Sequence, residues 1–442
     1  MLALRRWSWT IGATIAVGTA LAPARASAKP LNEAERTERC AAIRDVAADN
    51  GIATGYLLAG IASAETSLSH CWTELDWACQ GPASPDCDGG PVVAGAGDGP
   101  CSLQEGGLGM FQFDGGTFDE TIARDGDGVL LLSGNITRGV DFVVDMVMRS
   151  KFTGAETQEE ARAWLNSVVV GGDHWDDWID TVTQYYNGCV PGQCSAYADR
   201  FAHYDDHGRA VFQDQGADFW QAELGQCAPI GSKQAVLEET DPCFVKGGPL
   251  PFWRVGIGGE SNLHVWTGTT DNADPANFAQ WMLQFDHPGE YKLEVAVHSG
   301  TSTQARYLVE HAGMTDEVVI DQAAADGFVE LGTFDFAASG SQRVHLGDNT
   351  GEAGGEKLVA DALRVTPLDI SGGGGGGEGA GGDPGGEGGD GVGHFSGGVE
   401  GGCATAPAMP RGESRWLALS LAAAAGALAR RRRASGWVRV PA

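Results

Sequence analysis

Leu57-Leu58-Ala59-Gly60-Ile61-Ala62-Ser63-Ala64-Glu65-Thr66-Ser67 is an apolar run that ends on a single carboxylate. Its composition and length read as one buried helix, and apolar residues three and four apart in Glu35 to Ala48 predict another before it. Glu65 is then a carboxylate at the C-terminal end of a helix with apolar walls. Desolvation there disfavours the charged form, which is what a general acid needs to hold its proton near neutral pH. The bland alternative is a helix-end glutamate pointing into water. Outward from this stretch, residues 31–228 carry eight of the ten cysteines and continue in helical patterns. Residues 245–368 have no cysteine and change period: Tyr291-Lys292-Leu293-Glu294-Val295-Ala296-Val297 and 305–310 alternate apolar and polar, with Gly, Asp and Asn between runs. That is the pattern of an antiparallel β-sandwich. The fold class is therefore α+β and multidomain, with a mainly helical domain followed by a sandwich.

Two more segments bear on Glu65. Gly106-Gly107-Leu108-Gly109-Met110-Phe111-Gln112-Phe113-Asp114-Gly115-Gly116 is a glycine-rich loop that lets the backbone approach a ligand, and its Gln112 can both donate to and accept from a sugar. Gln184-Tyr185-Tyr186-Asn187-Gly188 ends a helix on an aromatic and an amide. The order Glu-Thr-Ser, Gly-Met-Phe-Gln, Tyr-Asn-Gly resembles the lysozyme superfamily, in particular lytic transglycosylases and goose-type lysozymes, over about residues 40–225. That resemblance implies a muramidase that cuts the bond between N-acetylmuramic acid and N-acetylglucosamine of peptidoglycan. Glu65 would be the catalytic acid, while Gln112, Tyr186, Asn187 and Thr66 would hold the sugar. Thr66 stands where the family carries Ser. Asp114 would be a general base if water is the acceptor; its competing reading is a turn residue ahead of Gly115-Gly116. The spacing from Glu65 to Gln112 is longer than the family's, and residues 71–105 read as a disulfide-stapled insertion.

The ends are not structural. Arg5 and Arg6, an apolar stretch and Ala26-Ser27-Ala28 have the order of a signal peptide over residues 1–28, so the cysteines are expected as disulfides of an exported protein. Cys189 and Cys194 bracket a turn that a local bridge could close. The cysteine spacing gives no zinc pattern, and no metal or cofactor is expected. Residues 371–402 are dominated by glycine and form a disordered tether. Residues 403–434 hold Cys403, a short apolar helix and an arginine cluster. This order resembles the MYXO-CTERM tail of myxobacterial surface proteins, which implies processing near the cysteine, transient membrane contact and retention at the cell surface.

The net charge of −30 argues against nucleic acid as a partner. It becomes more negative once the arginines of both ends are set aside, so an anionic wall cannot attract the protein at long range; contact with glycan must be short-range. In the second domain, Tyr307-Leu308-Val309-Glu310-His311-Ala312-Gly313 and Val359-Ala360-Asp361-Ala362-Leu363-Arg364-Val365 are similar to the golvesin C-terminal domain, also described as the carbohydrate-binding-like domain of xanthan lyases. A binding module is the implication. Phe252, Trp253, Trp266 and Trp281 are either a sugar platform or core, as are Trp175 and Trp178 with His174 in the first domain. Asp125-Gly126-Asp127-Gly128 has part of a calcium-loop pattern but reads as a turn. The expected whole is a surface-anchored peptidoglycan-cleaving enzyme, the alternative a non-catalytic glycan-binding or adhesion protein on a degenerate lysozyme scaffold.

Overall fold

A computed structural model describes residues 28–95, 107–338 and 341–370. The expected signal peptide over residues 1–28, apart from Ala28 itself, and the expected tether and sorting tail over residues 371–434 lie outside the described residues. No described helix is long and apolar enough to cross a membrane.

The first block is helical. Its α1 (Glu33–Asp49) starts on a capping box in which Asn32 and Glu35 each accept the other's backbone amide. Helix α2 (Tyr56–Thr66) buries nearly every residue, as its composition requires, and stops on Ser67 in the left-handed conformation. A hairpin of β1 (Cys79–Ala83) and β2 (Pro91–Ala94) occupies the insertion, and Cys71 is bridged to Cys87 across it. Helices α3 (Phe118–Asp125), α4 (Leu132–Arg149), α5 (Gln158–Ser167), α6 (Trp175–Thr181) and α7 (Tyr197–Gln215) follow. A π-helical turn at Val182–Tyr186 extends α6.

The second block is a sandwich of antiparallel pairs. One sheet holds, in spatial order, β10 (Met314–Ile320), β9 (Ala305–His311), β12 (Gln342–Gly347), β7 (Phe278–Leu283) and β4 (Phe244–Gly247). A second holds β11 (Gly327–Phe336), β8 (Gly289–Val297), β14 (Leu363–Ile370) and β3 (Ala235–Leu237). A third, short sheet consists of β13 (Lys357–Ala360), β6 (Leu263–Gly268) and β5 (Arg254–Ile257). Alternation sets the facing: Trp281 and Leu283, Tyr307 and Val309, and Tyr291, Leu293 and Val295 all point into the core.

One large hydrophobic cluster runs through both blocks, which form one compact unit, and a smaller one lies under the β1–β2 hairpin. Gly126, at φ +93°, passes so close to the backbone of Val255 on β5 that a Cβ there would lie 1.7 Å from its carbonyl oxygen. Arg138 on α4 binds the Asp125 carboxylate and donates to the Leu250 carbonyl, and Asp127 accepts the Ile257 amide. The Asp125-to-Gly128 stretch thus joins the end of α3 to a 3-10 turn and packs on β5. Also across the seam, Lys246 Nζ on β4 sits 2.6 and 2.7 Å from the two oxygens of Asp141 on α4.

Bridges also join Cys189 to Cys194 and Cys227 to Cys243; Cys79 is bonded too, and Cys40 is free and buried.

Candidate functional site

Helices α2 and α7 cross at two glycines: a Cβ on Gly60 would come 2.9 Å from the Gly208 Cα. One turn along each helix from that contact, Tyr204 reaches Glu65. Its hydroxyl donates to Glu65 Oε1 at 2.5 Å, on a half-buried carboxyl group. The Asn187 side chain bonds the same tyrosine. Burial first, and then the Glu65 charge, hold the Tyr204 hydroxyl far above its ordinary pKa, so it stays a donor. Tyr186 is raised in the same way, by burial and then by Glu65 and Tyr204.

The loop is drawn to the same place. Thr66 Oγ1 donates to the Met110 carbonyl at 3.0 Å, which ties the end of α2 to Gly-Met-Phe-Gln. Asn135 of α4 accepts the Phe111 amide at 2.9 Å and donates to the carbonyls of Leu108 and Val129. Its amide lies 2.3 Å from where a Cβ on Gly109 would stand, so only glycine fits at that φ of +70°. Gln112 also has a positive φ, 51°, and its Nε2 donates to the Gly109 carbonyl at 2.7 Å. The Tyr186 hydroxyl donates to the Phe111 carbonyl. Three distant segments and α7 therefore meet around Glu65. Of the residues chosen from sequence, Glu65, Thr66, Gln112, Tyr186 and Asn187 belong to this assembly.

Asp114 differs. It is exposed, its Oδ1 accepts the Gly116 amide at 2.8 Å, and its carbonyl accepts from Arg124. This is an Asx turn ahead of the Thr117 cap of α3, the turn reading rather than that of a base poised over a sugar. Tyr204, Asn135 and the Gly60–Gly208 crossing were not singled out in the sequence; a glycine inside each of two helices, apolar α2 and polar α7, was the available signal.

Between the two readings of the tryptophans, four fall to core packing. Trp175 and Trp178 are buried, Trp175 donating to Asp205, and Trp253 and Trp281 lie in the core. Trp266 is half-buried and lies against Arg254 and Lys357. Among the described residues one group has metal-ligand spacing, and it is not at Glu65: Glu238, Glu239 and Asp361, beside the sandwich.

No curated protein matches this chain. Xanthan lyase from Paenibacillus is similar at 16% identity and TM-score 0.27, over 31% of this chain and 13% of that one. The GH26-CBM35 β-(1,4)-mannanase from Podospora anserina is similar at 17% identity and TM-score 0.23, over 31% of this chain and 28% of that one. A family 35 carbohydrate binding module from Clostridium thermocellum is similar at 12% identity and TM-score 0.22, over 30% of this chain and 98% of the module. The chain thus spans less than a third of the length of the first two. Within the β-rich half, residues 261–367 match the family model of the Golvesin C-terminal domain.

Proposed function

We propose that this is an extracytoplasmic glycan-directed protein in which the sandwich binds glycan and Glu65 cleaves it. The disulfides suit an oxidising compartment. Support for glycan binding comes from the golvesin-domain match and from the carbohydrate-binding names among the similar structures. The cleaving half rests on one observation: Glu-Thr, Gly-Met-Phe-Gln and Tyr-Asn, read from sequence as parts of one site, converge on a half-buried Glu65 that a buried tyrosine holds in place. The proposed target is the bond between N-acetylmuramic acid and N-acetylglucosamine in peptidoglycan.

With Asp114 engaged in its turn, the arrangement favours the route that needs one carboxylate. Glu65 gives its proton to the glycosidic oxygen as the bond to the muramyl C1 breaks. The muramyl 6-hydroxyl then closes on C1 and returns its proton to Glu65. Inverting hydrolysis would instead need a second carboxyl roughly 6.5–9.5 Å away to position water.

The second reading, a glycan-binding surface protein without turnover, has specific support in the golvesin match, since that region carries no proposed chemistry. Turbidity of purified peptidoglycan, followed with the wild type and Glu65→Gln, separates the two. Clearing by the wild type alone is expected, with anhydromuramyl ends in the product masses. Equal clearing by both removes Glu65 from the reaction. Binding without clearing by either leaves the adhesion reading. Reducing muramyl ends would restore water, and a base, to the mechanism.

A further inference from the structure

Beside Tyr204 on α7 stand two histidines that the proposed chemistry does not use. His203 Nε2 lies 3.0 Å from the Ala64 carbonyl oxygen, and His207 Nδ1 lies 2.9 Å from Ser63 Oγ. The two rings are 4.5 Å apart between centroids. Gly208, the next residue, is the one that meets Gly60. Positions three and four apart share one face of a helix, so a single stripe of α7, from 203 to 208, grips the stretch of α2 from 60 to 65.

The Ala64 carbonyl is one of those that the end of a helix leaves open. At this end the Ser67 amide closes on Ser63 and the Leu68 amide on Ala62, which passes Ala64 by. A carbonyl only accepts, so the His203 ring carries a hydrogen on Nε2. That contact bears on the proposed proton donor. The Ala64 carbonyl and the Glu65 nitrogen belong to one rigid peptide plane, and this plane sets the direction in which the Glu65 side chain leaves the helix. Tyr204 holds the other end of the same residue, its carboxyl. Burial and then His203 lower the pKa of His207, with Asp206 opposing and Arg36 adding. The His207 ring is therefore neutral near neutral pH and braces His203 without a second charge.

We infer that His203 is a positioning residue for Glu65: through the Ala64 carbonyl it fixes the peptide plane that carries the acid, with His207 as its brace. The inference rests on the reading of Glu65 as proton donor, and it adds a residue that lies outside all three sequence motifs.

The test compares two variants of the full chain. The amide nitrogen of Gln stands as many bonds from the backbone as His Nε2, so His203→Gln keeps the donor, whereas His203→Ala removes it. On a soluble muropeptide His203→Ala should lower kcat about 10-fold with KM within about twofold, the scale of one hydrogen bond, and His203→Gln should restore most of the turnover. Equal losses in both variants, or a change confined to KM, overturn the inference. If His203→Ala does not fold, His203→Leu, which fills the space without a donor, takes its place. Nitrogen NMR of the imidazole rings is independent of turnover: the neutral ring of His203 should carry its hydrogen on Nε2, and a hydrogen on Nδ1 overturns the inference. A wild type without turnover removes the cleavage reading alone. The grip on α2 is then read from that NMR form and from amide exchange at Ser67 and Leu68, where faster exchange in His203→Ala than in His203→Gln upholds it and equal exchange overturns it.

Discussion

Lys246→Met is the sharpest probe of how the two blocks are joined. Lys246 and Asp141 are 6% and 3% exposed in their side chains, and the ammonium contacts both carboxylate oxygens. Methionine keeps the length and apolar stem of lysine but strands Asp141 in the seam. Removing one partner of a buried pair costs about 3–5 kcal/mol, far above the median near 0–1 for an exposed one. At about 2 °C per kcal/mol for a unit of this size, melting should fall by roughly 6–10 °C. Asp141→Leu with Lys246→Met removes both charges and should recover most of the loss, because the desolvation penalty vanishes with the pair. Urea unfolding reports the free energy: circular dichroism at the helical band follows α1 to α7, and amide exchange follows the strands. In a unit with one core the two midpoints move together. A single-variant loss below about 1 kcal/mol, a double variant no better than the single, or strands that keep their midpoint while helices lose theirs would refute the reasoning.

Tyr204→Phe should lower turnover about 10- to 100-fold with little change in KM: Tyr204 donates to Glu65, and that bond strengthens as the proton leaves and charge develops on the carboxylate, where a hydrogen bond to a charged group contributes roughly 1.5–3 kcal/mol. Steady-state kinetics on a soluble muropeptide measure it, and a change confined to KM would contradict the positioning role. A second expectation concerns acid. His264 is buried with its Nε2 unpartnered; burial, reinforced by Lys357 and His298 and opposed by a hydrogen bond to the Gly258 carbonyl and by Asp127, lowers it to about 4. The unfolded chain takes up that proton first, so the stability this group contributes is complete above about pH 6.5 and is lost as pH falls toward 4. The loss approaches about 3 kcal/mol. His70, His207 and His345 are lowered too and act in the same sense, so the measure is the difference between wild type and His264→Asn: the variant's unfolding free energy should fall less steeply across that window, and parallel profiles would remove His264 from the account.

What could be read from the sequence is what neighbours along the chain determine. The apolar run into Glu65 gave a buried helix with one carboxylate at its end, and alternation in 291–297 gave strand facing, because both depend on periods of a few residues. Tyr204 lies 139 positions from the Glu65 it holds, and nothing local marks it among the polar residues of α7. The tryptophans were open between platform and core for a related reason: Trp175 buries its ring and gives its one polar atom to Asp205, which only the fold of α7 supplies. Asp114 was legible in kind: Asp before two glycines is turn chemistry, and the motif around it suggested more than its own hydrogen bonds support.

Long-range electrostatics was the least legible layer, and it connects the seam to the carboxyl cluster of Glu238, Glu239 and Asp361 beside it. Lys246 faces Asp141 at hydrogen-bond distance, and its charge also stabilises the ionised form of Glu239. Its replacement therefore has a second consequence: besides stranding Asp141, it takes away the cation acting on a cluster that already lacks charge. The acidic composition thus has an internal counterpart: among the described buried residues six carboxylates stand against one arginine and one lysine, and both of those cations, Arg138 and Lys246, sit at the seam.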